Sequence, residues 1–197
     1  MKLGILMLRA TIGGAFVGHG AQKLFGVQGG HGLKGTAGFF EGLGLKPGIV
    51  HATAAGVAEI GGGAGLLLGY RTPLAASAVV ATMTTAIQRV HGKNGWDTQQ
   101  GGYEYNAVLI AGAVAIATEG PGVLSLDALR GKQRSGVVPG LFALLAGLAG
   151  AAGSSAVAGY FGGETAPAPE PTPEPVTAAA AEAEAAEAPL PVEPLGN

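Results

Sequence analysis

Five apolar runs, each near the length at which a helix crosses hydrocarbon, constrain this chain more than any motif in it. A helix rises 1.5 Å per residue, so about 20 residues are needed to cross roughly 30 Å of bilayer core. The runs are residues 3–25, 48–69, 73–90, 104–118 and 137–161. The fourth reaches only about 22 Å as helix, and is predicted to start in the loop at Tyr103 or to run on through Gly120. Composition agrees: 12% of residues are charged, against about 25% in soluble domains, and 48% are hydrophobic. The chain therefore reads as an all-α membrane protein with a four-helix transmembrane bundle, a fifth C-terminal transmembrane helix and a disordered tail. In residue terms, 1–119 form the membrane core, 120–136 a basic loop, 137–161 the fifth helix and 162–197 the tail. A cleaved signal peptide is the rival reading of the first run. Arg9 interrupts its apolar stretch, and Lys23 follows any small-residue cleavage site.

Local patterns fill in this outline. Gly14 with Gly18, and Gly61 with Gly65 and Gly69, have the four-residue spacing that lets helix backbones approach closely in lipid. Between the first two runs, Leu33, Ala37, Phe40 and Leu43 recur at helical intervals, which predicts a short amphipathic helix on or in the membrane surface. Pro47 suits the first turn of the second span. Trp96, Tyr103 and Tyr105 are placed as interfacial anchors. The tail has eight prolines between Pro167 and Pro194 and holds seven of the thirteen acids, a composition that buries no core. The remaining residues carry eleven bases against six acids. Arg9 and Arg71 fall at the same end of the spans and are expected to snorkel toward phosphates.

The chemistry lies in the ionisable groups inside the apolar runs, where charge is expensive and marks a functional interior. With alternating spans, the connections after the first and third lie on one side, so His19, His31, His51 and His91 gather there together with Lys23 and Glu104. Glu59 stands eleven residues into the second span, about 16 Å along it, near the midplane. An acid at that depth either takes up a proton or finds a cation. His19 and Lys23, four apart on one helix face, are the candidates. Two readings follow: a polar clamp between the first two spans, or a site that binds and protonates a small polar head group such as a quinone. The residues assigned to the second reading are His19, Lys23, Glu59, His91 and Glu104 for proton chemistry, with His19, Glu59 and His91 contacting the ligand. A metal site built from His19, His51, His91 and a carboxylate has suitable ligand types but no supporting spacing, and none is assigned.

Other classes are excluded on chemistry. No cysteine is present, which removes disulfides, thiolate nucleophiles and Cys-ligated zinc or iron–sulfur centres. Residues 30–35, GHGLKG, match G-x-G-x-x-G in letters only, because an apolar span precedes them in place of a strand. There is no phosphate-binding G-x-x-x-x-G-K-[ST] run, and no basic patch interleaved with aromatics to suggest nucleic acid.

The succession HGAQKLFG (19–26), GFFEGLGLKPG (38–48), AEIGGGAGLLLG (58–69), TPLAA (72–76), the helix end from Met83 to His91 and GGYEYN (101–106) resembles the DoxX family of small bacterial membrane proteins. The resemblance covers about residues 1–119 and departs at the fifth span and the tail. It implies a four-helix membrane core linked to oxidoreductase systems. The family name comes from a thiosulfate:quinone oxidoreductase subunit, and mycobacterial relatives are associated with a superoxide dismutase and a sulfurtransferase. The expected function is thus an integral membrane subunit of an oxidoreductase system, quinone-linked and not catalytic alone. A non-catalytic scaffold or accessory subunit of a respiratory or redox complex is the alternative. Lipid, quinone and other subunits are the expected partners. The expected location is the bacterial inner (plasma) membrane, with the N-terminus cytoplasmic and the tail external, a choice resting on the basic loop and the acidic tail.

Overall fold

The computed structural model describes residues 2–162. The reading of the Pro/Ala/Glu-rich tail falls on residues 163–197 and lies outside the described residues. Among the described residues the chain is helical, with α1 (Leu3–Phe25), α2 (Gly32–Gly42), α3 (Gly48–Leu68), α4 (Thr72–Ala86), α5 (Glu104–Glu119), α6 (Leu126–Leu129) and α7 (Val137–Gly162). α1 and α7 are long and apolar enough to cross a membrane by themselves. α3 is long enough, at 21 residues, and carries His51 and Glu59 buried within it. α4 has 15 residues and α5 16, short of five full-length spans. α4 continues without a break into a π-helical turn, Ile87–His91, which extends its reach.

Side chains are sorted in the sense that suits lipid. Large apolar groups face outward on α1 (Leu3, Met7), α3 (Ile49, Val57, Leu68), α5 (Val108) and α7 (Leu141, Phe142, Leu145), while Arg9, Glu59, Thr72 and Asp127 are buried. Water would oppose that arrangement, and hydrocarbon favours it. The packed interior is built from Ile12, Phe16, Leu66, Val79, Val80, Leu109 and Ile116 with alanines between them. α1 packs on α3, α4 touches α3, α5 and α7, and α1 also meets α5.

The α1–α3 seam uses glycines in a different register from the predicted one. A methyl group at Gly13 would meet Gly63 O at 2.7 Å, and one at Gly20 would meet Gly56 O at 2.7 Å. The pairing runs antiparallel with a seven-residue step. Gly18 and Gly61 have no neighbour within 4 Å, and Gly14 meets only the Leu67 methyl of α3 at 3.8 Å, so none of these three brings backbones into close contact. Gly65 and Gly69 are tightly packed, against Ala75 and against Arg9 with Ser125. The spacing of four is thus used in part: Gly65 and Gly69 are buried, while the Gly14 and Gly18 face of α1 is not.

Arg9 corrects another expectation. It does not snorkel: it is 1% exposed and spends its guanidinium on backbone carbonyls. Nε donates to Leu66 O at 2.8 Å and Nη2 to Leu67 O at 2.9 Å, while Nη1 donates to Pro121 O and to Leu124 O. Leu66 and Leu67 are in the last turn of α3, where carbonyls lack i+4 partners; Leu66 O also accepts from the capping Gly69 N at 3.0 Å. One side chain thereby fastens α1 to the end of α3 and to the loop after α5. That loop answers with Asp127, whose carboxylate accepts from Arg71 N, Thr72 N and Thr72 Oγ1 at 2.9 to 3.0 Å, capping α4 from a distant segment. The predicted basic loop is thus an ordered brace containing α6. Arg71 stays exposed, with its guanidinium 5.6 Å from the Tyr70 ring centroid. Pro47 sits one residue earlier than expected, as the N-cap of α3.

Two stability outcomes follow. Gly13→Ala and Gly63→Ala should each cost about 1–3 kcal/mol by overpacking the seam, whereas Gly18→Ala should be neutral or slightly stabilising. Thermal melts of detergent-solubilised protein check the contrast. Arg9→Lys should lower the melting temperature measurably, because an ammonium lacks the planar fork that reaches four carbonyls and leaves some of them unsatisfied at about 1–3 kcal/mol each.

Candidate functional site

The antiparallel seam sets the last turn of α1 beside the middle of α3, and that places Lys23 Nζ 2.8 Å from Glu59 Oε2. The Glu59 side chain is 5% exposed and that of Lys23 27%. The acid near the midplane has therefore found the cation four residues from His19. Buried carboxylates need such a partner, because an isolated charge in apolar surroundings costs several kcal/mol.

The pair opens on a cavity of about 560 Å3. Its polar lining includes His19, Lys23, Glu59, His51, His91 and Ser154, and its walls are apolar, with Phe16, Phe39, Phe40, Leu43 and Leu45 among them. α2 closes one side through Phe39 and Phe40. It is held to α3 by Glu41, whose carboxylate accepts from Gly48 N at 3.1 Å. The π-helical turn delivers Arg89, Val90 and His91 to the opposite side, and such turns frequently occur where a helix must re-aim side chains at a site. His91 donates from Nδ1 to Gly101 O at 2.8 Å, which leaves Nε2 as the acceptor of the neutral ring. A second cavity of about 290 Å3 adjoins, lined by His19, Gln22, Lys23, His31 and Thr36 among others. His19 and Lys23 border both.

The histidines therefore gather as the alternation of spans predicts: His19, His51 and His91 line the larger cavity and His31 the smaller. Of the five residues assigned from sequence, His19, Lys23, Glu59 and His91 line one cavity. Glu104 is not among its lining residues. It heads α5, with its carboxylate accepting from Thr98 Oγ1 at 3.3 Å. His19 Nδ1 lies 3.1 Å from Gln22 Oε1, so its ring is oriented by its own helix. Among the lining residues without a site role in the sequence reading are Arg89, Tyr105 and Asn106. Arg89 falls at the end of the third apolar run, Tyr105 reads as an interfacial anchor, and Asn106, which donates to Met83 Sδ at 3.4 Å, as part of a motif only. Among the described residues, no group of three or more His, Asp or Glu is placed to hold a metal ion.

Helices with apolar outer faces, inward-turned charge and an amphipathic cavity have the architecture of a membrane protein. The protein-family model described as DoxX matches residues 4–92, and over that segment the chain is similar to the DoxX family. The match takes in α1 to α4 and the π-helical turn. It ends before GGYEYN, so it is shorter than the resemblance read from the sequence. Neither the curated proteins nor the solved structures contain a match.

Breaking the ion pair from one side should be worse than removing both charges. Lys23→Met should cost about 2 kcal/mol, between the values for exposed and fully buried pairs, and the Lys23→Met/Glu59→Gln double variant should recover part of the loss. A double-mutant cycle of melting temperatures reads the coupling. Additive losses would mean that the two groups do not act as a pair.

Proposed function

We propose that this chain is an integral membrane subunit of an oxidoreductase system that holds a quinone-type ligand in the larger cavity, with its head group at Lys23 and Glu59. The observation that carries the reading is the partly buried Lys23–Glu59 pair set in the wall of a predominantly apolar cavity. Amphiphiles with a flat polar head and an apolar tail suit sites of that kind, where few polar groups fix orientation and apolar walls supply affinity. The match to the DoxX family model over residues 4–92, a family linked to redox systems, supports the same class.

A quinone, when bound, supplies two-electron, two-proton acceptor chemistry. The part of this chain is to bind and orient the head group and to hold a proton at Glu59 or on the His19 ring close to it. With no cysteine the chain has no thiol relay of its own, so the electrons come from a partner redox subunit. The location proposed is the bacterial inner membrane, N-terminus cytoplasmic, with α1, α3, α4, α5 and α7 spanning it. On that orientation the histidine end faces outward. The scaffold reading draws on a different observation, the bracing of α1, α3 and the loop by Arg9, and it predicts no ligand.

Saturable binding of a short-chain benzoquinone to the purified chain separates the two. At a hundred times Kd the ligand should stabilise the fold by about 2.7 kcal/mol, seen as a rise in melting temperature. Glu59→Gln should fold but lose proton-coupled, quinone-linked activity in the membrane system, since the amide is nearly isosteric yet holds no exchangeable acid proton. No thermal shift with folded protein would leave the accessory-subunit reading.

A further inference from the structure

We propose that His51 donates a hydrogen bond from Nε2 to a carbonyl oxygen of the ligand in the larger cavity, and that Ser154 of α7 is the positioning residue that fixes this tautomer. The proposal rests on the quinone reading above for the identity of the ligand.

His51 is 6% exposed and lines the cavity. Its Nδ1 lies 3.0 Å from Ser154 Oγ, and its Nε2 is buried without a hydrogen-bond partner. Buried polar atoms are rarely left so, and an orphan on a residue of a cavity wall calls for a partner that the protein does not supply. The direction of the serine contact decides what that partner must be. The hydroxyls of Thr53, Thr82 and Thr85 each donate to a carbonyl four residues back in their own helices. Ser154 makes no such bond among the described residues, and its hydrogen-bond partner is His51 Nδ1. With Oγ–H donating to Nδ1, the hydroxyl is satisfied and the ring proton resides on Nε2. In the reverse arrangement the hydroxyl hydrogen is left to the cavity, which Ser154 also lines. The free ring position is therefore a neutral donor, which matches a carbonyl oxygen. His91 has the opposite tautomer, its Nδ1–H being committed to Gly101 O.

Ser154 is brought there by close packing of α7 on α4. A methyl group at Gly147 would collide with Val80, and one at Gly150 would lie 3.2 Å from Ala81 Cβ. α7 lies outside the residues matched by the family model. The segment that departs from the family pattern thus contributes to the site.

The test combines ring-nitrogen NMR of 15N-histidine-labelled full-length protein with calorimetric titration of a short-chain benzoquinone, in wild type, Ser154→Ala, Ser154→Thr and His51→Phe. The wild-type spectrum should show His51 protonated on Nε2. Ser154→Ala should lose that preference and weaken binding by about threefold to tenfold, Ser154→Thr should restore both, and His51→Phe should weaken binding by about tenfold or more. Wild-type binding that His51→Phe leaves unchanged overturns the donor role while sparing the quinone reading. A wild-type His51 protonated on Nδ1 overturns the part assigned to Ser154. Absence of binding by folded wild-type protein overturns the quinone reading itself, and the donor role with it. If His51→Phe does not fold, the two Ser154 variants decide the matter alone.

Discussion

The close approach of α1 and α3 through Gly13, Gly20, Gly56 and Gly63 is the constraint on which the rest of the structure depends. Backbones that come this near gain dispersion along the whole seam, which is the main attraction left to helices in lipid, where burial of apolar surface supplies little. The same proximity lets Lys23 reach Glu59. A seam held a few ångströms wider by side chains would separate the pair, and each charge would then face the full cost of an apolar interior. Packing and candidate chemistry thus share one cause, four glycines in an antiparallel register.

Arg9 and Asp127 brace the other end of the bundle. Both are buried, and each is satisfied chiefly by backbone: Arg9 by carbonyls of α3 and of the loop after α5, Asp127 by amides at the start of α4. Their opposite charges add a long-range attraction to a set of hydrogen bonds that is nearly complete. The cavity at the far end has the contrary character, with an orphaned ring nitrogen, a π-helical turn and three histidines. One end of the helical bundle is saturated with partners and the other is not.

Much of this was legible from the sequence for simple physical reasons. Apolar runs give helices, so α1 matches its predicted limits and α3, α5 and α7 fall within a residue of theirs. Alternation of spans brings the histidines to one end, and the cost of a deep carboxylate points to Glu59 having a cation nearby. What stayed hidden depends on partners far apart in the chain. The buried role of Arg9 is set by carbonyls 57 and 112 residues away, and a hydropathy profile carries no trace of them. The glycine reading held at Gly65 and Gly69 but not at Gly14, Gly18 and Gly61, because four-residue spacings are common in a chain with 37 glycines, and spacing alone does not say which face is turned inward. The short length of α4 was compensated by a π-helical turn, which has no reliable sequence signature. His51 was visible as a histidine near a helix start, but Ser154, the residue that gives its ring a direction, is 103 positions downstream.

Photoaffinity labelling with an azido-benzoquinone, followed by peptide mapping of the full-length protein in its own membrane, tests the central claim most directly. If the cavity headed by Lys23 and Glu59 binds the head group, labels should fall on the cavity-lining parts of α1, α3 and the π-helical turn, and excess unlabelled quinone should remove them. Labels confined to outward-facing residues such as Leu141 and Leu145, or labels that competition does not reduce, would contradict it.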